Sequence, residues 1–348
     1  MTATPGPSRE GGTRVHRLQL PLLPGWKTVR DRRALEMLER LFAREKYDVV
    51  HGHSLYSPLA HAAAFVASKL GIGSVLTNHS LLRRANTLLL CALDYSCMWS
   101  TWPTVLTAVS MAAAEDTRRA ALGREVLLLG NGIDLEGWTR RAQIVSSPRV
   151  TSVMRLCPRK RPLDLIRAIP RVLEQLPQAL WPQFTIIGDG PMRSEIEMEA
   201  ERLGVRAFVQ FMGLRSREEI KEVLARTTVF ALPSSKEAFG IAALEARCAG
   251  VPVVAMGRSG VNDVIEHGRE GLLADNPEEF AKHIATIIQD RGLRSRMADR
   301  ARSRLDRFGW EQVIARHLQV YRLAMDRTHP ERDAAPLAAM PLKRISRG

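Results

Sequence analysis

Short apolar runs alternate with longer helical segments from about Val15 to Met325. Runs of that length, bounded by glycine, proline or polar turns, read as strands buried on both faces, and the segments between them as crossover helices. The alternation confines the chain to parallel α/β sheets. In the first half the expected strands are VHRLQL (15–20), YDVVH (47–51), SVLT (74–77), TVLTAV (104–109) and EVLLL (125–129), with helices at 28–46, 58–70 and 111–122. Polar, aperiodic TRRAQIVSSPR (139–149) marks a junction. Beyond it the expected strands are 150–154, 184–188, 209–213, 228–232, 251–255 and 271–274, with closing helices near 277–289, 291–307 and 309–325.

A chain of 348 residues is too long for one ordinary core. The expected division is a first domain over 1–142, a second over 148–307, a helix at 308–326 and a disordered tail over 328–348. Cys91, Cys97, Cys157 and Cys248 form no Cys-x-x-Cys pair and read as free thiols of a reducing compartment. No apolar run approaches the roughly 20 residues that span a bilayer, and MTATPGPSREGG lacks the order of a secretory signal. The net charge of +14 suits phosphorylated ligands or anionic surfaces. Its arginines are scattered through helices, with no aromatic-interleaved RNA motif. Phosphate-bearing small molecules and a membrane surface therefore rank above nucleic acid.

In open α/β sheets, ligands gather beyond the carboxyl ends of strands. Four such loops in the second half carry unusual residues. The loop Arg155-Leu-Cys-Pro-Arg-Lys160-Arg161 offers forked donors and a point charge to a diphosphate, or is simply a solvated basic turn. In Gly188-Asp-Gly190-Pro191, glycine permits close backbone approach, and a structural turn is the better reading of that loop alone. The third loop runs Pro233-Ser-Ser-Lys-Glu237-Ala-Phe239-Gly240-Ile241 into a small-residue helix that contains Glu245. Free amides around Phe239 to Ile241 would face an anion. Glu245, among alanines and leucine, needs donors, and a ribose supplies two adjacent hydroxyls. Two plainer readings compete: Ser234-x-x-Glu237 fits a capping box, and Glu245 could pair with a surface arginine. Gly257 to Asp263 forms the fourth loop.

The first half adds His51-Gly-His53-Ser54 and Asn78-His79-Ser80 at its own strand ends. Imidazole there can bond a sugar hydroxyl or shuttle a proton. His51, His53 and Ser54 are acceptor-side candidates, and His79 joins Glu237 as a catalytic candidate. No carboxylate joins the histidines at a metal-ligand spacing, and the chain contains no Asp-x-Asp. The expected site therefore has no metal and no cofactor, only arginine, lysine and helix amides around a diphosphate.

Together these residues resemble the retaining glycosyltransferases of family 4, which have the GT-B fold of two facing Rossmann-like, doubly wound domains. The likeness runs from about Thr13 to Met325 and is most specific in EAFGIAALEARCAG (237–250), the family's E-x7-E motif. Arg155, Lys160, GDGP (188–191) and NGID (131–134) support it. FGWEQVIARHLQVYR (308–322) looks like the terminal helix that crosses back to the first domain. The resemblance implies a nucleotide-sugar donor, with Glu245 on its ribose and Glu237 facing the sugar near its reacting carbon. It further implies transfer of a hexose or N-acetylhexosamine with retained configuration, to a lipid-linked or other hydroxyl. YDVVHGHS, HAAAF (61–65) and VLTNHSL (75–81) are similar to PIG-A-type enzymes, which attach N-acetylglucosamine to phosphatidylinositol. The chain departs from that group at Asn78, where Asp is found, and at Arg161, where Gly is usual, so donor and acceptor stay open.

The expected station is cytoplasmic, or peripheral on the inner face of a membrane. Segment 27–46, with seven cations against four anions, would meet anionic lipid there, and Trp99 and Trp102 lie near the acceptor side. Family members open with a strand, a Gly-rich loop and a helix. Here no strand is expected before Gly11-Gly12, so the first domain should lack its first strand, as a shortened reading frame or a degenerate enzyme would. Two other classes of function compete: a non-catalytic GT-B module, and a basic nucleic-acid binder whose affinity falls steeply with salt.

Overall fold

The computed structural model describes residues 6–10, 12–18, 31–139, 147–330 and 344–345. The end of the expected strand 15–20, the start of the expected helix 28–46 and most of the junction 139–149 lie outside the described residues. The chain opens with an antiparallel hairpin, β1 (Gly6–Glu10) and β2 (Thr13–Arg17), with Gly12 in the turn at φ +81°. Then follow α1 (Arg32–Glu45), β3 (Val49–His53), α2 (Pro58–Lys69), β4 (Gly73–Asn78), α3 (Arg84–Cys97), β5 (Val105–Ala108), α4 (Met111–Ala120), β6 (Val126–Leu128) and the short α5 (Leu135–Trp138). Strands β3 to β6 are parallel neighbours in simple sequence order. All residues of β4 and β5 are buried, as a strand covered on both faces requires.

Two expectations fail at the N-terminus. A strand does precede Gly11-Gly12, though it pairs with β2 outside the parallel sheet, and the described part of segment 15–20 pairs with β1 rather than with that sheet. The reason lies in the segment's residues. Arg14, His16 and Arg17 break the apolar run that a strand buried on both faces needs, and β2 is only half-buried. An ion pair from Arg14 to Glu45 ties the hairpin to the end of α1.

The second sheet comprises β7 (Arg149–Val153), β8 (Gln183–Ile187), β9 (Val209–Gly213), β10 (Val229–Leu232), β11 (Val253–Met256) and β12 (Gly271–Ala274). Interleaved with these strands are α6 (Pro162–Glu174), α7 (Arg193–Arg202), α8 (Arg217–Ala225) and α9 (Ile241–Cys248), followed by α10 (Pro277–Gln289) and α11 (Arg291–Ala301). Its order is β12-β11-β10-β7-β8-β9, with every neighbouring pair parallel. The chain winds from β7 out to β9, then returns to β10 on the other side of β7. That reversal opens a crevice beyond the carboxyl ends of β7 and β10. Helix α6 starts with Pro162 in its first turn and buries Leu165, Ile169 and Val172, which share a core with Phe280, Ile284 and Ile288 of α10.

The last helix, α12 (Trp310–Thr328), returns to the first sheet, where Val320 and Ala324 pack with Val75, Val105 and Leu127. Close approach is possible because β4 starts with glycine. A Cβ on Gly73 would lie 2.9 Å from the carbonyl carbon of Ala324. Most of the tail expected to be disordered lies outside the described residues; within it Arg344–Ile345 form β13, which pairs antiparallel with β6. The exposed edge of β6 is a template for such pairing. Substituting Gly73→Ala should cost roughly 1–3 kcal/mol through forced separation of α12 from β4. A thermal midpoint equal to wild type would show that this approach is looser in solution.

Candidate functional site

The loops that follow β7 and β10 meet at the switch point of the second sheet. After β7, residues Pro158–Lys160 make one 3-10 turn, and Arg161 sits at φ +54°. This turn directs Lys160 Nζ to Glu237 Oε1 at 2.6 Å. Arg161 Nη1 donates to Ser235 Oγ at 3.3 Å, and Ser234 Oγ donates to the Arg159 carbonyl at 3.3 Å. The two loops are thus stapled three times. Glu237 is only 6% exposed and heads no helix, because α9 begins at Ile241 with Gly240 as its N-cap at φ +90°. The capping-box reading of Ser234 and Glu237 is therefore wrong: Ser234 spends its hydroxyl on the loop opposite.

A cleft of ≈ 320 Å³ opens between these loops and the first domain. His79, Ser80 and Asn131 line it from the first domain, facing Arg159, Lys160, Lys236 and Glu237 from the second. Gly240, Ile241 and Ala242 bring the start of α9 to its wall. Three cations and a helix N-terminus around one carboxylate make a site for an anion. Phe239 also lines the cleft, but its ring is buried edge-on against Phe308, so its contribution to a ligand is backbone.

Other expected donor-side residues fall elsewhere. Arg155 is exposed and is not among the residues lining the cleft; Arg159, four residues on, takes that place. Gly188 and Gly190, at φ +128° and +156°, let their loop cross the backbone of 154–156, where the Leu156 amide donates to the Asp189 carbonyl at 2.9 Å. A Cβ at either would collide with the Met154 or Leu156 carbonyl, so their role is close packing.

Glu245 sits one turn into α9, half-buried, its side chain making no hydrogen bond or ion pair among the described residues. Burial pushes its carboxyl up to about 7, opposed only by the charge of Arg217. Among the described residues no arginine forms an ion pair with Glu245; Arg217 acts on it only through its charge. Two residues beyond Glu245, fully buried Arg247 donates to the carbonyls of Val264, Ala301 and Ser303 and pairs with Glu270 at 3.0 Å. It anchors the rear of α9. An arginine in an alanine-rich helix reads as surface in sequence, and nothing there singled it out.

The histidines form one cluster between β3, β4 and α12. His51 bonds Tyr321 Oη through Nδ1 at 2.9 Å and Thr77 Oγ1 through Nε2 at 2.6 Å. His53 Nδ1 lies 2.8 Å from His79 Nε2, and the His51 and His53 rings are 4.2 Å apart. Burial first, then neighbouring imidazoles, lowers His51 to about 3 and His79 to about 4, so both are neutral near pH 7. Among the described residues, no three ligating side chains are placed to hold a metal. His79 alone of these rings lines the cleft. His51 is enclosed in the internal chain, and Ser54 shapes the turn after β3 at φ +78°. The turn bearing His79 is held by buried Asn78, which accepts from Ser80 N at 3.0 Å and donates to Thr117 Oγ1 at 2.9 Å. A carboxylate there would lose that donor.

The raised Glu245 carboxyl carries a stability cost with a definite sign. The folded state keeps the proton to higher pH than the unfolded chain, so stability falls as pH rises from the ordinary carboxylate range through about 7. Glu245→Gln should therefore raise the thermal midpoint relative to wild type increasingly across that window, then level off. A mutant no more stable than wild type at pH 8 would show that Glu245 is solvated or paired.

Residues 2–137 match the family model for Glycosyltransferase Family 4, and residues 140–304 match that for glycosyl transferases group 1. One component of human phosphatidylinositol N-acetylglucosaminyltransferase is 30% identical over 249 residues, covering 67% of this chain and 48% of that protein. A D-inositol 3-phosphate glycosyltransferase of Corynebacterium urealyticum is 32% identical over 186 residues, 51% of this chain and 43% of that one. The chain thus spans about half the length of these curated relatives. Among solved structures, sucrose-phosphate synthase of Thermosynechococcus elongatus is similar with a TM-score of 0.71 at 21% identity, over 92% of this chain and 86% of that one. Anabaena HepE in complex with UDP-glucose gives 0.67 at 22% identity, over 83% and 80%. These likenesses establish the fold, two α/β domains of the GT-B kind. With consecutive family matches along both halves, the chain belongs to the family 4 glycosyltransferases.

Proposed function

We propose that the cleft binds a nucleotide-diphosphate sugar and that the protein transfers its hexose or N-acetylhexosamine to a hydroxyl acceptor, with retained configuration. The observation that carries this reading is the concentration of Arg159, Lys160, Lys236 and the start of α9 around one buried carboxylate at the switch point. The diphosphate lies at the α9 N-terminus, where amides and cations neutralise it without a divalent ion. The ribose sits over Glu245, whose carboxyl gains the donors it otherwise lacks. Glu237, oriented by Lys160, faces the sugar near its reacting carbon, and neutral His79 bonds a sugar hydroxyl from the opposite wall. The anomeric carbon–oxygen bond to the diphosphate breaks, and the acceptor oxygen bonds the same carbon from the same face. The acceptor's proton passes to the departing phosphate oxygen.

The acceptor in this reading is a lipid-linked hydroxyl, presented on the inner face of a membrane beside His53 and His79. The human relative is named for transfer to phosphatidylinositol, a lipid-borne hydroxyl, which supports that class; the Corynebacterium relative is named for D-inositol 3-phosphate, which shares the inositol phosphate and has no acyl chain. No helix among the described residues is long and apolar enough to cross a membrane, which is compatible with peripheral contact.

Calorimetric titration with a panel of UDP-, GDP- and ADP-sugars should identify one bound donor. Glu245→Gln should weaken it about 10- to 150-fold, the equivalent of roughly 1.5–3 kcal/mol for a charge-assisted hydrogen bond. Wild-type affinity in a folded mutant would remove the ribose assignment. Transfer should also persist in EDTA. Loss of activity on chelation, restored by magnesium or manganese, would overturn the metal-free account.

A further inference from the structure

Helix α3 is apolar on nearly every side, RANTLLLCALDYSC, a composition that belongs in an interior. Yet only Leu90 and Asp94 of its side chains are buried. Its outer face presents Leu88 at 70% exposure, Leu89 at 56% and Tyr95 at 88%, and Met98 caps its end at 64%. The one carboxylate of the helix is turned inward, where Asp94 accepts from Ser100 N at 2.8 Å and from Ser100 Oγ at 2.9 Å. The outer face is left with no acid. Arg83 and Arg84 stand exposed at its start, with no ion pair among the described residues.

Helix α1, the segment singled out for lipid by its cation count, is built the other way. Its Leu38 and Phe42 are buried and Leu35 and Leu41 pack on the same cluster, while Arg32 and Arg40 pair with Glu36. Trp99 is fully buried and donates to the Leu90 carbonyl, so it cannot reach a bilayer.

We infer that the α3 face, Leu88, Leu89, Tyr95 and Met98 with Arg83 and Arg84, is the surface by which the protein sits on an anionic membrane. The match is one of charge and polarity. Uncovered leucine, methionine and tyrosine suit the boundary of headgroups and acyl chains, and the two arginines suit lipid phosphate. The position suits a lipid-borne acceptor, and that part rests on the transferase reading above. His79 and Ser80 line the cleft, only Leu81 and Leu82 separate them from Arg83, and Asn86 of the first turn donates to Tyr56 Oη at 3.1 Å. A headgroup in the cleft would have its acyl chains beside α3.

The test uses the full chain with vesicles of phosphatidylcholine, alone or mixed with phosphatidylserine, at low salt. Wild type should sediment with the mixed vesicles and not with the neutral ones. The double variant Leu88→Asp with Tyr95→Asp should stay in the supernatant. Arg83→Ser with Arg84→Ser should partition about 30-fold more weakly, from about 1 kcal/mol per cation. Arg32→Ser with Arg40→Ser on α1 should behave as wild type. Unaltered thermal midpoints and donor titrations on the same variants separate this inference from the transferase reading, which would fail in the titrations instead. Wild type that ignores anionic vesicles, or a Leu88→Asp, Tyr95→Asp variant that sediments normally, overturns it. So does self-association that the double variant abolishes without any vesicle binding, because the face would then belong to a second copy.

Discussion

The turn from Gly260 to Asp263 is the joint on which the rest depends. The Gly260 amide donates to the Glu237 carbonyl at 2.7 Å, and there is no room for a side chain between Gly260, the Ala238 carbonyl and Ser110. Three residues on, Asp263 Oδ2 accepts the Met111 amide at the start of α4 in the first domain, at 2.6 Å. One short turn therefore fixes the loop carrying Glu237 and also ties it to the opposite domain. A buried carbonyl left without such a donor would cost on the order of 1–3 kcal/mol, so the loop is held where the turn puts it. On this frame the Lys160–Glu237 pair is preorganised rather than assembled on ligand arrival.

A second anchor acts from behind. Arg247 occupies the interior of the second domain and satisfies its guanidinium on three carbonyls and Glu270. Burying an arginine is costly unless every donor is used, and breaking such a pair typically costs about 3–5 kcal/mol. The arrangement holds the far end of α9 firmly while its near end stays open to the cleft. Between the two lies Glu245, a carboxyl kept without a partner, which fits a residue retained for binding rather than for stability.

Much of the second domain was legible because its strands are short, apolar and separated by turn residues, so period and length agreed. Glu237, Gly240 and Glu245 stood out because a strand-to-helix switch with two glutamates has few structural excuses. The hairpin at Gly12 and the pairing of Arg344–Ile345 with β6 were missed because edge pairing leaves little apolar signature in so few residues. Arg247, Asn78 and Tyr321 were invisible for another reason. Their roles come from partners more than 15 residues distant in sequence, such as Val264, Thr117 and His51, which no local pattern encodes. Leucines on α1 and α3 look alike in sequence; only packing distinguishes the inward set from the outward one.

The most direct measurement is a crystal structure of the protein soaked with a nucleotide-diphosphate sugar. The account predicts ribose hydroxyls within hydrogen-bond reach of the Glu245 carboxylate, about 2.6–3.0 Å. It also predicts the diphosphate at the N-terminus of α9 beside Arg159 and Lys160. A nucleotide bound elsewhere, or in this cleft with its ribose away from Glu245, would contradict it.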